Sequence, residues 1–450
     1  MKTVDVGRLL DEGEWSGYQK LLILAAALTI VLDGVDNQLL SVALPELTRL
    51  WGVGRPAFTP VVAAGLVGMM VGGAIGGVLG DRIGRRKSLL ASVFVFGLMT
   101  VAVSVFANDL VSLGVLRFIA GLGLGGAMPN GTALASEYVP RRYRPFAVTL
   151  ALVCIPVGGT LAGLVGAEVL PTLRWRAVFQ VGGLLPIVLG FVLIWTLPES
   201  PRYLARHRER WGELRVLLAR LGHVVPADAE FSDPGESTKK VTVGEIFEPE
   251  FRVDTLALCA SFFFCLMGAY AGVMWLPSQL AGIGFDAKSS GYGLTAFNVG
   301  GVVGALCAVP LVTRFGSRVT MLGMCAGAVI GAVIVSVTPL RGEPFALALA
   351  LFFWTGGLIN ATQTLMYALA AHVYPASVRA TGVGTAVAFG RIGSVISAYA
   401  GTVATGLPQL FGILAATMAL VFVALASVRN HIPRLNSATP ERARAQVAGR

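Results

Sequence analysis

Charge is what this sequence has least of. Only 13% of its 450 residues are Asp, Glu, Lys or Arg, about half the 25% of an average soluble domain, which excludes an ordinary soluble globular protein. Long polar stretches are scarce as well, and one alone, Pro198 to Asp254, interrupts a chain of mean hydropathy +0.73. Cysteine is scarce too: Cys154, Cys259, Cys265, Cys307 and Cys325 all lie inside apolar runs and are odd in number, which excludes a disulfide framework and leaves them as packing residues. No nucleophile with a nearby base, no metal-ligand spacing and no phosphate loop stands out, so the chain does not read as an enzyme and calls for no cofactor. The first apolar run has no small-residue cleavage site, and it reads as a first span, not a removable signal peptide.

What is present is a series of apolar runs of about 20 residues, the length that crosses a bilayer as a helix. Gly, Pro and charge clusters divide them into twelve predicted spans, near 19–44, 57–80, 88–107, 110–138, 145–169, 176–197, 254–281, 290–312, 318–338, 344–373, 380–403 and 408–429. The fold class is therefore an all-α polytopic membrane protein with 12 transmembrane helices in two six-helix bundles. The expected division is an N-terminal bundle over 1–197, a cytoplasmic linker over 198–253, and a C-terminal bundle with a short cytoplasmic tail over 254–450. Within the linker, Leu214, Leu217, Leu218 and Leu221 recur at helical spacing and predict an amphipathic surface helix, while 227–240 is rich in Asp, Ser, Pro and Gly and reads as flexible.

Net charge is +10 with a pI near 9.7, but its distribution argues against a nucleic-acid partner. Of the 35 Lys and Arg, 27 fall in loops on one side of the predicted spans and six on the other, while Arg117 and Arg391 stand inside spans. By the positive-inside rule both termini and the central loop face the cytoplasm. The basic pI is mostly topology.

The halves echo each other. Ala133-Leu134-Ala135-Ser136-Glu137-Tyr138-Val139-Pro140 followed by Arg144 matches Ala368-Leu369-Ala370-Ala371-His372-Val373-Tyr374-Pro375 followed by Arg379, and Asp81-Arg82-Ile83-Gly84-Arg85-Arg86 matches Thr313-Arg314-Phe315-Gly316-Ser317-Arg318. Two copies of a six-span unit imply two bundles with a site between them near the midplane.

Within the first span, Asp33-Gly34-Val35-Asp36 sets two carboxylates three positions apart, on one helix face. Each would cost about 2.5 to 3.5 kcal/mol facing lipid, so the pair is expected to face a water-filled cavity. About 6 Å apart at an effective dielectric near 20, two such charges repel by about 3 kcal/mol, so one of them is expected to hold a proton more tightly than free Asp does. Asp33 and Asp36 are thus the candidate proton-coupling residues. Arg117 and Arg391, one in each half, can hold a carboxylate bidentately or pair with an acid. Asn37, Asn298, Asn360, Gln363, Tyr367 and Trp275 are further candidates to line a substrate cavity, as are Gln38, Asn130 and Tyr270. Asp81, Arg85, Glu137, Arg144, Arg379 and His372, at predicted span ends, are candidates for charge pairs of a cytoplasmic gate or for a cap or solvated rim. Gly121, Gly123 and Gly126 fit a dinucleotide-binding spacing, but no strand precedes them, so close helix packing is the reading.

The string Gly76-Gly77-Val78-Leu79-Gly80-Asp81-Arg82-Ile83-Gly84-Arg85-Arg86-Lys87 closely resembles the signature loop of the major facilitator superfamily. Within it, Asp33 to Asp36 with Ala43-Leu44-Pro45, the run Leu116 to Asn130 with Ser136-Glu137-Tyr138, and Tyr374-Pro375 with Arg379-Ala380-Thr381-Gly382 and Gly390-Arg391-Ile392-Gly393 resemble the aromatic acid:proton symporters. That resemblance implies uptake of a benzoate-like or phenylpropionate-like carboxylate with a proton across the bacterial inner membrane. Asp33, Asp36, Arg117, Glu137, Arg379 and Arg391 would be the important residues. The partners implied are the small aromatic carboxylate, the proton and the lipid bilayer; the protein is expected to be a monomer driven by the proton gradient. Uptake of another organic anion or a sugar, drug/proton efflux, and a non-transporting sensor stay open as alternatives. Pro156-Val157-Gly158-Gly159 resembles a drug/proton antiporter motif, with Ile155 where that motif has Gly. Pro198-Glu199-Ser200-Pro201-Arg202-Tyr203-Leu204 resembles a mid-chain motif of sugar porters, without that family's second marker in span 7.

Overall fold

The computed structural model describes residues 3–13, 15–223, 225–226, 229–233, 243–340, 345–375 and 378–434. Most of the stretch 227–240, Arg341 and the basic residues beyond Arg434 lie outside the described residues. The chain divides into two units, one of Met1–Thr238 with Asp286–Gly291, the other of Lys239–Phe285 with Tyr292–Arg450.

The first unit begins with strand β1 (Thr3–Asp5) and helix α1 (Val6–Glu12), followed by the long helices α2 (Gly17–Trp51), α3 (Thr59–Ile83), α4 (Arg85–Phe106), α5 (Leu110–Glu137) and α6 (Arg144–Thr196). Local signals set the starts of two of them. Ser16 and Gln19 form a capping box at α2, Asp109 and Ser112 another at α5, each satisfying backbone N–H groups that a helix start leaves open. Between α3 and α4 a single residue, Gly84, breaks the helix at φ 106°, a conformation that side-chain-bearing residues rarely adopt.

Helices α3 and α5 meet through glycine. A Cβ on Gly121 would meet the Met69 backbone nitrogen at 3.0 Å, and one on Gly123 the Phe96 nitrogen of α4 at 2.7 Å. The glycine run therefore serves close packing. Asn130 binds the region together by donating to Gly76 O (2.9 Å), Ser88 Oγ (2.9 Å) and Gly126 O (2.8 Å); it is wholly buried and is a packing residue, not a cavity lining.

Eleven helices among the described residues are long and apolar enough to cross a membrane, not the twelve expected. The difference lies in α6, whose 53 residues would run about 80 Å as one rod, far beyond a hydrocarbon core of about 30 Å. Arg174 interrupts it at φ 69°, ψ 171°, between the two predicted spans. Just past the break the Trp175 N–H donates to Glu46 Oε2 at 2.9 Å, so a carboxylate of α2 satisfies the restarting helix.

After α6 come α7 (Pro201–Ala205), α8 (Trp211–Arg220) and β2 (Glu230–Ser232), which pairs in parallel with β1, Val4 opposite Phe231. The apolar face of α8 is not left as a surface for lipid. Leu214, Leu217 and Leu218 pack with Val6, Leu10, Leu204, Leu221 and Phe231, joining the chain's start to its central loop in a small core of their own.

The second unit holds α9 (Arg252–Gly282), α10 (Ala287–Phe315, its first residues counted with the first unit), α11 (Ser317–Val337), α12 (Phe345–Val373), α13 (Arg379–Ser397), α14 (Ala400–Val403) and α15 (Leu407–Ser427). Gly316 breaks the chain between α10 and α11 at φ 80°, the counterpart of Gly84. In each unit the segment after the last span ties this turn down. Glu199 Oε1 accepts the Arg86 N–H at 2.9 Å, and Ile432 O accepts the Ser317 N–H at 2.9 Å. The sequence repeat is therefore a repeat of backbone device as well as of residues.

Candidate functional site

Helix α2 brings its acidic turn close to α6 through Gly34, opposite Gly158. A Cβ on Gly158 would meet Gly34 Cα at 2.7 Å, so the stretch that resembles an antiporter motif is here a notch for the Asp-Gly-Val-Asp turn. Asp33 is 5% exposed and Asp36 wholly buried. Both acids are buried within the first unit.

Asp36 has partners on two neighbouring helices. Asp36 Oδ1 accepts a hydrogen bond from the Thr100 hydroxyl of α4, and Oδ2 accepts one from Arg117 Nη1 of α5 at 3.2 Å. Arg117 Nη2 also donates to the Asp36 carbonyl oxygen at 3.3 Å. Arg117 is only 4% exposed, so its charge is balanced inside the unit by Asp36, and in this conformation it is an acid's partner more than an open carboxylate receptor. The physical reason is the high cost of a buried charge without a counter-charge. Asn37 and Gln38 are also buried on α2.

In the second unit, Arg391 of α13 is half-buried and its Nη1 donates to the Tyr270 hydroxyl of α9 at 3.1 Å. Tyr367 of α12 lies near enough for Arg391 to act on it electrostatically, with its ring edge-on to Phe262 at 5.1 Å. Gln363 and Asn360, one and two turns back on α12, are half-buried too, and Asn360 Nδ2 donates to Gly356 O at 2.9 Å. Asn298 is buried and bonds Leu294 O on its own helix at 3.0 Å. Trp275 is a correction. Its ring is wholly buried, its Nε1 donates to Ser397 O at 3.3 Å and a Cβ on Gly401 would strike it, so it packs and does not line open space.

Four of the six predicted gate residues come together at one end of the first unit. Arg85 Nη2 pairs with Asp81 at 2.5 Å and its Nε lies 3.8 Å from Glu137, which also accepts from Ser200 Oγ. Arg144 pairs with Asp11, which Arg202 reaches at 3.3 Å. These charges border an open polar cavity of about 970 Å³, lined among others by Asp11, Asp81, Arg85, Glu137, Arg144 and Arg202. It is distinct from the Asp36–Arg117 pair. Beside it Tyr138 is buried and donates to Pro198 O at 2.6 Å; burial first, and the nearby Glu199 and Glu137 next, push its phenol well above the ordinary range, so it stays a neutral donor.

The repeated arginines do the same work in both units. Arg144 Nε donates to Ser136 O and Arg379 Nε to Tyr374 O, each at 3.2 Å, capping the carbonyl end of the preceding helix. His372 sits exposed at the end of α12. Sequence reasoning did not reach Thr100, Asp11 or Asp233. The string Pro198 to Leu204 did signal Glu199, Ser200, Arg202 and Tyr203, each of which contacts the charged end: Tyr203 Oη, for example, donates to Arg82 O at 3.2 Å.

Comparison with known proteins bears on the same features. The sequence matches the profile of the Major Facilitator Superfamily over residues 26–398 and 258–449. It is 34% identical over 443 residues to a gallate transporter of Pseudomonas putida, covering 97% of each chain. It is 32% identical to a 4-hydroxybenzoate transporter of Pseudomonas aeruginosa, covering 96% of this chain and 97% of that protein. Among solved structures, the xylose transporter of E. coli in a partially occluded inward open conformation superposes with a TM-score of 0.73 over 92% of this chain and 99% of that one; at 19% identity this likeness concerns the fold alone.

Proposed function

Because this chain belongs to the major facilitator superfamily, we propose that it is a secondary active transporter that takes up an aromatic carboxylate together with a proton by alternating access. It is a transporter and not an enzyme, and the proton gradient replaces any cofactor. The relatives named for gallate and 4-hydroxybenzoate support the substrate class, two ring-bearing carboxylates. The observation that carries the coupling is the buried pair of Asp36 and Arg117, a protonatable group and its counter-charge inside one unit.

Charged Asp36 holds Arg117; the coupled proton goes to Asp33 or Asp36, and on Asp36 it weakens the hold on the guanidinium. Arg391, with Tyr270 and Tyr367 beside it, is the receptor for the substrate carboxylate, since a guanidinium can meet both oxygens at once. Asn37, Asn298, Asn360 and Gln363 supply further polar contacts. Asp81, Arg85, Glu137 and Arg144, and in the other half Arg379 and His372, close the cytoplasmic side. The bundles are residues 1–197 and 254–450 with the linker 198–253 between them, in a monomer whose termini both face the cytoplasm of a bacterium, as the Lys and Arg bias requires. Each coupled proton adds about 2.3 kcal/mol per 100 mV of membrane potential to accumulation.

The test is whole-cell uptake of radiolabelled gallate, 4-hydroxybenzoate and benzoate with and without a protonophore. Accumulation abolished by the protonophore, and competed by aromatic acids but not by glucose, is the expected result. Uptake that persists after the gradient collapses would exclude proton coupling; competition by glucose alone would replace the substrate class.

A further inference from the structure

Thr100 does something unusual for a helical threonine in this protein. Thr29, Thr132, Thr160 and Thr362 each turn the hydroxyl back to the carbonyl four residues earlier on their own helix, the common arrangement in apolar surroundings. Thr100 instead donates across to Asp36 Oδ1 on α2, and it is wholly buried. The charged group that meets Asp36 from the surrounding helices is Arg117 of α5; α4 presents the neutral Thr100, α6 packs against the neighbouring Gly34 through Ile155 and Gly158, and Asp33 lies one turn away on α2 itself.

We propose that Thr100 is a positioning residue of the proton site, a hydroxyl that holds Asp36 in both of its charge states and thereby decides which helix stays with α2 when the charge is lost. This inference rests on the proton-coupled reading above. A hydroxyl is donor and acceptor together, whereas a guanidinium only donates. With Asp36 charged, Oδ1 accepts from Thr100 and Oδ2 from Arg117. When a proton adds to Oδ1, the Thr100 hydroxyl turns so that its oxygen accepts the new O–H. No proton is lost or gained beyond the one that arrives. Oδ1 keeps a partner throughout, while the contact of Oδ2 with Arg117 loses its ionic part. Protonation thus loosens α5 from α2 and leaves α2 joined to α4.

The test compares Thr100→Val, Thr100→Ala and Thr100→Ser in proteoliposomes and in purified protein. Valine keeps the shape, alanine removes the hydroxyl without adding volume, and serine restores the hydroxyl. Gradient-driven accumulation of radiolabelled 4-hydroxybenzoate is expected to fall about tenfold in the first two, the scale of one hydrogen bond to a charged group, while substrate counterflow, which needs no net proton movement, stays within about twofold. The infrared carbonyl band of protonated Asp36, identified by its loss in Asp36→Asn, shifts in Thr100→Val and Thr100→Ala and returns to its place in Thr100→Ser. Unchanged accumulation and an unmoved band in whichever of the two hydroxyl-free variants elutes as folded protein overturn the proposal, as does a serine variant that behaves like valine. If wild-type accumulation is abolished by a protonophore yet Thr100 proves silent, only this inference fails. If the wild type ignores the protonophore, the coupling reading fails first and takes this one with it.

Discussion

Arg117 grips Asp36 at two points, its Nη1 on the carboxylate at 3.2 Å and its Nη2 on the carbonyl oxygen of the same residue at 3.3 Å. The second contact does not depend on the charge of Asp36. Neutralising the carboxylate therefore weakens the pair without setting the arginine adrift, which suits a contact that must break and reform in every cycle.

From this geometry, Asp36→Asn is expected to abolish protonophore-sensitive accumulation while sparing counterflow, because the amide keeps the shape but cannot change charge. Arg117→Ala leaves a buried carboxylate without its counter-charge and should cost about 3 to 5 kcal/mol. Thermal unfolding in detergent checks the second claim. The double variant Asp36→Asn with Arg117→Ala should melt higher than Arg117→Ala alone; a melt equal to or below it would contradict the pairing argument.

Arg391 is half-buried, and its Nη1 donates to the Tyr270 hydroxyl. Arg391→Lys is expected to raise KM for the aromatic acid about tenfold, since an ammonium cannot hold both carboxylate oxygens in a plane, with stability changed by less than about 0.5 kcal/mol. Tyr270→Phe should raise KM by a smaller factor. Initial-rate uptake in proteoliposomes reads both, and an unaltered KM in Arg391→Lys would remove Arg391 from the binding role.

Asp11 joins α1 to the charged end of the first unit through Arg144 and Arg202, with its side chain 24% exposed. Asp11→Ala should cost about 1 kcal/mol, the upper range for partly solvated pairs. The local effect is expected to be larger than the global one: amide hydrogen exchange should quicken over residues 6–12 and 211–220, which share one small core, and stay unchanged in α3 and α5. Equal protection in the variant would show that the apolar contacts alone hold that layer.

His431 lies beyond the last span, with its Nδ1 3.1 Å from Ser317 Oγ and its Nε2 3.2 Å from Leu425 O. Burial lowers its proton affinity below the ordinary imidazole value. The unfolded chain therefore binds this proton more readily, and stability rises with pH through that window. Thermal melting should be flat above about pH 7.5 and decline as the pH falls below about 6.5, and His431→Gln should remove part of the decline. His223, lowered by burial as well, accounts for another part. A slope identical in wild type and variant would rule His431 out.

Much of the fold is legible in the sequence. Apart from the end of α2, the spanning helices start and end within about three residues of the predicted bounds because apolar length, glycine and charge act locally, and α6 holds two predicted spans on either side of its break at Arg174. The last turns of α2, from 45 to 51, escaped, since proline signals a helix end and Pro45 here lies inside the helix. The layer of α1, α8 and the paired strands escaped for another reason: each piece is short, and its apolar face means nothing until a partner some 200 residues away covers it.

Sequence by itself determined that the chain is a twice-repeated set of membrane helices, that two acids and two arginines stand inside them, and which end is charged, because those follow from composition and from periods along one strand of backbone. Only the tertiary structure decided that Asp36 belongs with Arg117 and Thr100, 81 and 64 residues away in the chain, and that Trp275 packs. Pairing of that kind is set by which helices touch, and contact distances between helices are decided by glycine notches and packing across the whole unit, which no local pattern encodes.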